Sequence, residues 1–180
     1  MKVLISDPVS ELGLDILKEG EIEVVYEPNS EVDELKKVIG DIDGWIVRSG
    51  TKVTKDLIKK SKKLQIIGRA GVGVDNIDIQ FATLQGIIVM NTPDGNTVSA
   101  AEHTLAMMST LARNIQIGHS DLIGGKWNRH SLVGSELRGK TLGIVGLGRI
   151  GREVAKRAIS YEINIIGYHP YENNDIFDQE

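Results

Sequence analysis

The run Lys140-Thr141-Leu142-Gly143-Ile144-Val145 passes directly into Gly146-Leu147-Gly148-Arg149-Ile150-Gly151. The first segment is apolar and strand-like; the second is a glycine-rich turn. Val154, Ala155, Ala158 and Ile159 then recur at helical spacing, and Ile163 to Tyr168 is a second strand-like run. This order predicts two parallel strands joined by a right-handed helical crossover. G-x-G-x-x-G alone is a weak signal, but here it leaves a strand and opens a helix. Each glycine has its own reason. Gly146 permits the tight turn, Gly148 lets a pyrophosphate reach the backbone, and Gly151 lets helix and strand pack closely. The helix N-terminus would offer unpaired N–H groups and partial positive charge to the phosphates. Arg149 and Ile150 sit at that N-terminus, and Arg149 adds a cation. The competing reading is a plain strand–turn–helix without a ligand.

A dinucleotide site of this kind calls for an acid about 20 residues further on, to hold the ribose hydroxyls. The residue at that distance is His169, followed by Pro170. A neutral imidazole can share a hydrogen bond with a hydroxyl. Unlike a carboxylate, it does not repel a 2′-phosphate. NAD is the expected cofactor, and His169 leaves NADP open.

The first half of the chain alternates. Apolar runs at Val3–Ile5, Ile22–Val25, Trp45–Val47, Leu64–Ile67 and Ile87–Met90 read as strands buried on both faces. Between them, Leu12, Ile16 and Leu17 share a helical face, as do Val32, Leu35, Lys36 and Ile39. Leu57 and Ile58 mark a third helix, and Ile77, Phe81 and Leu84 a fourth. All four prolines (Pro8, Pro28, Pro93, Pro170) fall just after such a run, where no ladder N–H is needed. The expectation is an α/β fold. A flavodoxin-like parallel-sheet domain over 1–93 precedes an incomplete Rossmann domain within 94–180. A long helix to about Arg113, capped by Asn96 or Thr97 or by a Ser99–Glu102 capping box, would bridge the two. Residues 114–138, with Gly124-Gly125 and no clear period, read as an arm. The flank of the second sheet is expected to be exposed and apolar.

Composition removes other classes. The net charge of -4 over 180 residues argues against a nucleic-acid binder. With no cysteine, disulfides, thiol catalysis and Cys-held metals are excluded. No apolar run reaches the ~18 residues a membrane helix needs. The N-terminal apolar run meets Asp7, too early for a secretory signal, so a cytoplasmic protein is expected.

A second glycine group follows the fourth strand: Gly68-Arg69-Ala70-Gly71-Val72-Gly73-Val74-Asp75. Successive N–H groups in such a loop form an anion nest. Arg48-Ser49, with Thr51, leaves the third strand at the same sheet edge, where open α/β sheets bind ligands. Arginine, hydroxyl and nest together point to a small anionic substrate. Alone, Arg48 reads equally well as half of a surface ion pair. Lys59, Lys60, Lys62 and Lys63 read as a solvated helix surface. Asp75 and Asp78 read as turn or cap residues, His103 as packed or capping, and His119 and His130 as arm surface.

These segments, with Asn91-Thr92-Pro93, Gly95-Asn96-Thr97 and Ser99-Ala100-Ala101-Glu102, carry a likeness to a family. The chain resembles the D-isomer-specific 2-hydroxyacid dehydrogenases from its first strand to about Tyr171. Arg48-Ser49 and Arg69-Ala70-Gly71 resemble members acting on a phosphorylated hydroxy acid. The resemblance implies that Arg48 and Ser49 hold the substrate phosphate or its neighbouring oxygens. It implies that the Val72-Gly73 backbone holds the carboxylate, with Val72 beside the nicotinamide, and that Asn96 lies near substrate and cofactor. Gly146, Gly148, Arg149, Ile150 and Gly151 would contact the pyrophosphate, and His169-Pro170 the adenosine ribose. Arg129 would reach a second subunit's site from a 114–138 arm that pairs two copies. The family's catalytic arginine, carboxylate and histidine have no counterparts here, so the 180 residues are expected to be an inactive N-terminal portion. Other readings are a dehydrogenase for glyoxylate or lactate, a non-catalytic NAD(H)-binding corepressor-like member, or a chain that only assembles with longer subunits.

Overall fold

A computed structural model describes residues 1–170; Tyr171, where the likeness was expected to end, lies outside them. The described chain divides into two compact units, Met1–Gly95 and Asn96 onward.

The first unit alternates strand and helix: β1 (Lys2–Ile5), α1 (Glu11–Glu19), β2 (Glu23–Tyr26), α2 (Val32–Val38), β3 (Gly44–Val47), α3 (Lys55–Lys60), β4 (Ile66–Arg69), α4 (Ile79–Leu84) and β5 (Ile88–Asn91). All strands are parallel, in the order β2-β1-β3-β4-β5. The order reverses between β1 and β3, which makes their carboxyl ends the topological switch point. One sheet face is covered by α2, α3 and α4. Leu4, Trp45, Val47 and Ile67 from the strands meet Leu35, Leu57, Ile58 and Ala82 there. Each such side chain contributes about 1.5–3 kcal/mol through its removal from water.

Burial on both faces holds for β1 and β3 but not for the edges. Tyr26, Ile88 and Met90 are exposed on β2 and β5, because each points to the sheet face opposite the α2–α4 cluster, where Leu4, Ile67 and Val89 pack. The predicted face of α1 is also not buried: Leu12 and Ile16 are exposed, as is Leu84 of α4. Helical spacing records which residues share a face, not whether another element covers it.

The second unit contains α5 (Thr97–Ala112), α6 (Ile115–Ile123), β6 (Thr141–Val145), α7 (Arg149–Ala158) and β7 (Asn164–Tyr168). Strands β6 and β7 pair in parallel, from Thr141↔Asn164 to Val145↔Tyr168. The long helix α5 packs within this unit. Leu105 of α5 meets Ala158 and Ile163, with Met108, Leu142 and Ile165 around them. Asn96 is its N-cap, but no side chain caps it, and the Ser99 hydroxyl bonds back to the Asn96 carbonyl. Asn96 is thus the cap position among the alternatives, and Ser99–Glu102 makes no capping box because Ser99 already lies inside the helix.

Residues 114–138 are more ordered than the aperiodic sequence implied. Asn114, in the left-handed region at φ 54°, ends one helix and starts α6. The segment then folds back. Ser135 N–H donates to the Ala112 carbonyl at 2.8 Å, and Asn114 Nδ2 donates to the Val133 carbonyl at 3.1 Å. Its apolar side chains stay outside: Ile117, Leu122, Ile123 and Trp127 are exposed. Val145, Ile166 and Tyr168 expose the flank of the two-stranded sheet, as expected. Among the described residues, no helix is long and apolar enough to cross a membrane.

Candidate functional site

Two loops leave the switch-point edge of the first unit. The first, Arg48-Ser49-Gly50-Thr51, follows β3. Its anchor is Asp7, the acid that closes the N-terminal apolar run. Asp7 is 4% exposed at the end of β1, and its Oδ2 accepts the N–H of Arg48 at 2.6 Å and of Thr51 at 3.1 Å. A buried carboxylate satisfied by backbone donors is a strong local tether. It also explains Gly50, whose added Cβ would collide with Asp7 Oδ1. Beneath it, Trp45 Nε1 donates to Ser6 Oγ at 2.8 Å, and Ser6 Oγ lies 2.9 Å from Thr51 Oγ1. The Thr51 hydroxyl is thus committed inward to Ser6. Ser49 keeps an exposed position on the loop. Arg48 is exposed too, and its Nη1 donates to the Pro8 carbonyl at 3.2 Å.

The second loop runs from Arg69 to Asn76. Ala70 N–H donates to the Val47 carbonyl and Gly71 N–H to the Arg69 carbonyl. From the β5 side, Asn91 Nδ2 donates to the Val72 carbonyl at 2.6 Å, and Thr92 N–H to the Gly71 carbonyl at 3.0 Å. Among the described residues, the N–H groups of Val72 and Gly73 make no hydrogen bond, so this stretch presents donors as a nest would. Arg69 turns inward: its side chain is 10% exposed, its Nε donates to Asn76 Oδ1 at 2.7 Å, and its Nη2 lies 3.8 Å from Asp75. Asn76 Nδ2 in turn donates to the Arg48 carbonyl at 2.7 Å and the Thr51 carbonyl at 2.6 Å. This side-chain amide is what joins the two loops.

In the second unit, the glycine turn has the expected shape. Gly146 has φ 101°, and its N–H donates to the Tyr168 carbonyl at 2.8 Å. An added Cβ on Gly151 would run into the Gly146 carbonyl oxygen, so backbone approaches backbone there. Gly148 caps α7 with open space at its Cβ position, and Arg149 is the first residue of the helix. The Gly146–Tyr168 bond sets the half-buried His169 next to this turn, with the exposed Pro170 after it. Glycine where bulk is forbidden and open space at the helix N-terminus fit a dinucleotide pyrophosphate.

Asn96 and Arg129 are exposed residues of the second unit. Among the described residues, no side-chain hydrogen bond ties either to the glycine turn. His103 is exposed midway along α5, not packed or capping, while His119 and His130 lie on the surface as expected. Asp78 caps α4, accepting Phe81 N–H at 2.9 Å, and Asp75 is exposed beside Arg69. In the lysine run, Lys63 pairs with Asp41, and Lys59 lies over the Phe81 ring. Among the described residues, no cluster of acids and histidines would hold a metal.

Comparison with known proteins matches this pattern. Residues 3–167 fit the family described as D-isomer specific 2-hydroxyacid dehydrogenase, catalytic domain. D-3-phosphoglycerate dehydrogenase of Methanocaldococcus jannaschii is 52% identical over 172 residues, covering 95% of this chain and 32% of that protein. The Homo sapiens enzyme of the same name is 52% identical over 169 residues, covering 94% of this chain and again 32% of that protein. The chain thus spans about a third of the length of these relatives. An NAD+-bound 3-phosphoglycerate dehydrogenase from Entamoeba histolytica superimposes with a TM-score of 0.78 at 34% identity, covering 98% of this chain and 56% of that one. With both glycine loops in place and the family pattern matched from β1 to β7, the chain belongs to the D-isomer specific 2-hydroxyacid dehydrogenase family.

Proposed function

We propose that this chain is the anion-binding and pyrophosphate-binding portion of an NAD-dependent D-3-phosphoglycerate dehydrogenase. The parent enzyme oxidises D-3-phosphoglycerate to 3-phosphohydroxypyruvate, the first step of serine biosynthesis. The observation that carries this is the pair of loops at the carboxyl ends of β3 and β4, pinned to each other by Asn76. A phosphorylated hydroxy acid has two anionic ends. Arg48 and Ser49 would take the phosphate, and the free N–H groups of Val72 and Gly73 the carboxylate, holding the C2 hydroxyl at a fixed height. Asn96 would contribute to binding substrate and cofactor, and Arg129 would extend to a second copy paired through 114–138.

Gly146, Gly148, Arg149, Ile150 and Gly151 would hold the cofactor pyrophosphate, and His169 with Pro170 the ribose. NAD supplies the hydride acceptor when bound. Among the described residues, none is assigned as the general base that takes the hydroxyl proton, and the proposed role of the 180-residue chain is ligand binding without turnover. A carboxylate is missing at position 169, and NADP(H) should therefore bind nearly as well as NAD(H).

Calorimetry on the 180-residue chain tests the proposal. It should bind D-3-phosphoglycerate more tightly than D-lactate or glyoxylate, and Arg48→Ala should erase that preference. Equal affinity for all three would instead favour another 2-hydroxyacid dehydrogenase.

A further inference from the structure

We infer that Asn76 is a positioning residue that couples the Arg48–Thr51 loop to the Val72-Gly73 nest, so that the two ends of the substrate are read at a fixed separation. The inference rests on the proposed substrate-binding role of those loops and adds the element that makes them act together.

The backbone of each loop is held locally, but by different partners. Asp7 on β1 takes the N–H groups of Arg48 and Thr51, and Asn91 on β5 holds the Val72 carbonyl. Neither side chain reaches the other loop. Asn76 does. Its Nδ2 spends both protons on the Arg48 and Thr51 carbonyls, at opposite ends of the four-residue loop. Its Oδ1 is occupied by Arg69 Nε, at the start of the nest. An amide is required, since the task needs two donors and one acceptor on one planar group. Aspartate would face two carbonyl oxygens with another acceptor, and leucine would leave both unpaired.

The backbone of Asn76 is fixed as well. Its carbonyl accepts Val53 N–H at 2.8 Å, and Asp78 N–H returns to the Val53 carbonyl at 2.9 Å. The amide is therefore presented from a backbone held on both sides by Val53, with all three of its hydrogen bonds made. Arg69 contributes to binding through this network: its guanidinium is turned away from solvent and bonded to Asn76, while Arg48 stays exposed. Preorganisation of this kind favours a ligand that spans both loops over one that occupies a single loop.

Two probes separate those cases on the 180-residue chain. Inorganic phosphate fills only the Arg48 end; D-3-phosphoglycerate fills both. In Asn76→Ala, D-3-phosphoglycerate affinity should fall about tenfold or more while inorganic phosphate changes less than about threefold, because only the spanning ligand uses the fixed separation. General loosening of the fold would weaken both ligands alike and would overturn the inference. Amide hydrogen exchange gives a ligand-free reading from the other end, and it also applies if the Asn76 variant unfolds. Arg69→Met should speed exchange of Thr51 N–H, although Arg69 bonds to no atom of the Arg48–Thr51 loop. Unchanged Thr51 exchange would overturn the coupling. Failure of the unmodified chain to bind either ligand would sink the substrate reading, and the exchange result would still decide the coupling.

Discussion

Removing the Asp7 carboxylate should loosen the whole switch-point edge of the first unit. Its Oδ2 holds two backbone N–H groups, and the Thr51 donor lies in a residue only 8% exposed. A hydrogen bond to a charged acceptor contributes about 1.5–3 kcal/mol, and a buried donor left unpaired costs a similar amount. Arg48 N–H lies nearer solvent and recovers part of its loss from water. Asp7→Ala should then cost about 3–5 kcal/mol, a large share of the ~5–15 kcal/mol typical of a domain. For a unit of this size that is a fall in Tm of at least about 12 °C. Asp7→Asn keeps an oxygen at the acceptor position and should cost about 1–2 kcal/mol.

The assay is built into the fold. Trp45 is fully buried and donates to Ser6 Oγ, which touches Thr51, whereas Trp127 is 79% exposed in the other unit. In a Trp127→Phe background, Trp45 emission during thermal or urea unfolding reports the first unit alone. Asp7→Ala melting within about 1 kcal/mol of its parent would refute the tether.

Three further outcomes follow. Gly151→Ala places a methyl group on the Gly146 carbonyl and should abolish NADH binding by calorimetry, while D-3-phosphoglycerate binding to the first unit persists. Gly148→Val crowds open space at the start of α7, so circular dichroism should show an intact fold with NADH affinity lost. Lys63 holds the Asp41 carboxyl below its ordinary range, and Asp41 holds the Lys63 ammonium above its own. The stabilisation from Asp41 is full above about pH 3.9, the unfolded value, and is lost as pH falls through the lowered folded value. That from Lys63 is full below about pH 10.4 and is lost as pH rises through the raised folded value. Asp41→Asn should therefore flatten both the acid and the alkaline limbs of a stability–pH profile by lowering the neutral plateau between them.

The sheet, its parallel order and the glycine turn were legible because each has a local cause. Apolar runs fix strands, and Gly146 and Gly151 sit where a side chain would strain or collide. What the sequence did not reveal depends on non-local partners. The roles of Asp7 and Asn76 come from hydrogen bonds across 41 and 28 residues, and neither residue has a composition or periodicity that marks it. The inward bond of the Thr51 hydroxyl likewise comes from Ser6, 45 residues earlier. Helix α6 escaped notice because its apolar residues find no core among the described residues and so show no single buried face.

The central claim is that the loops after β3 and β4 form one site for a phosphorylated hydroxy acid. Amide NMR of the 180-residue chain titrated with D-3-phosphoglycerate tests it most directly. The account predicts saturable shifts at Ser49, Gly50, Val72 and Gly73, moving together with one affinity. Shifts at only one of the two loops, or at neither, would contradict it.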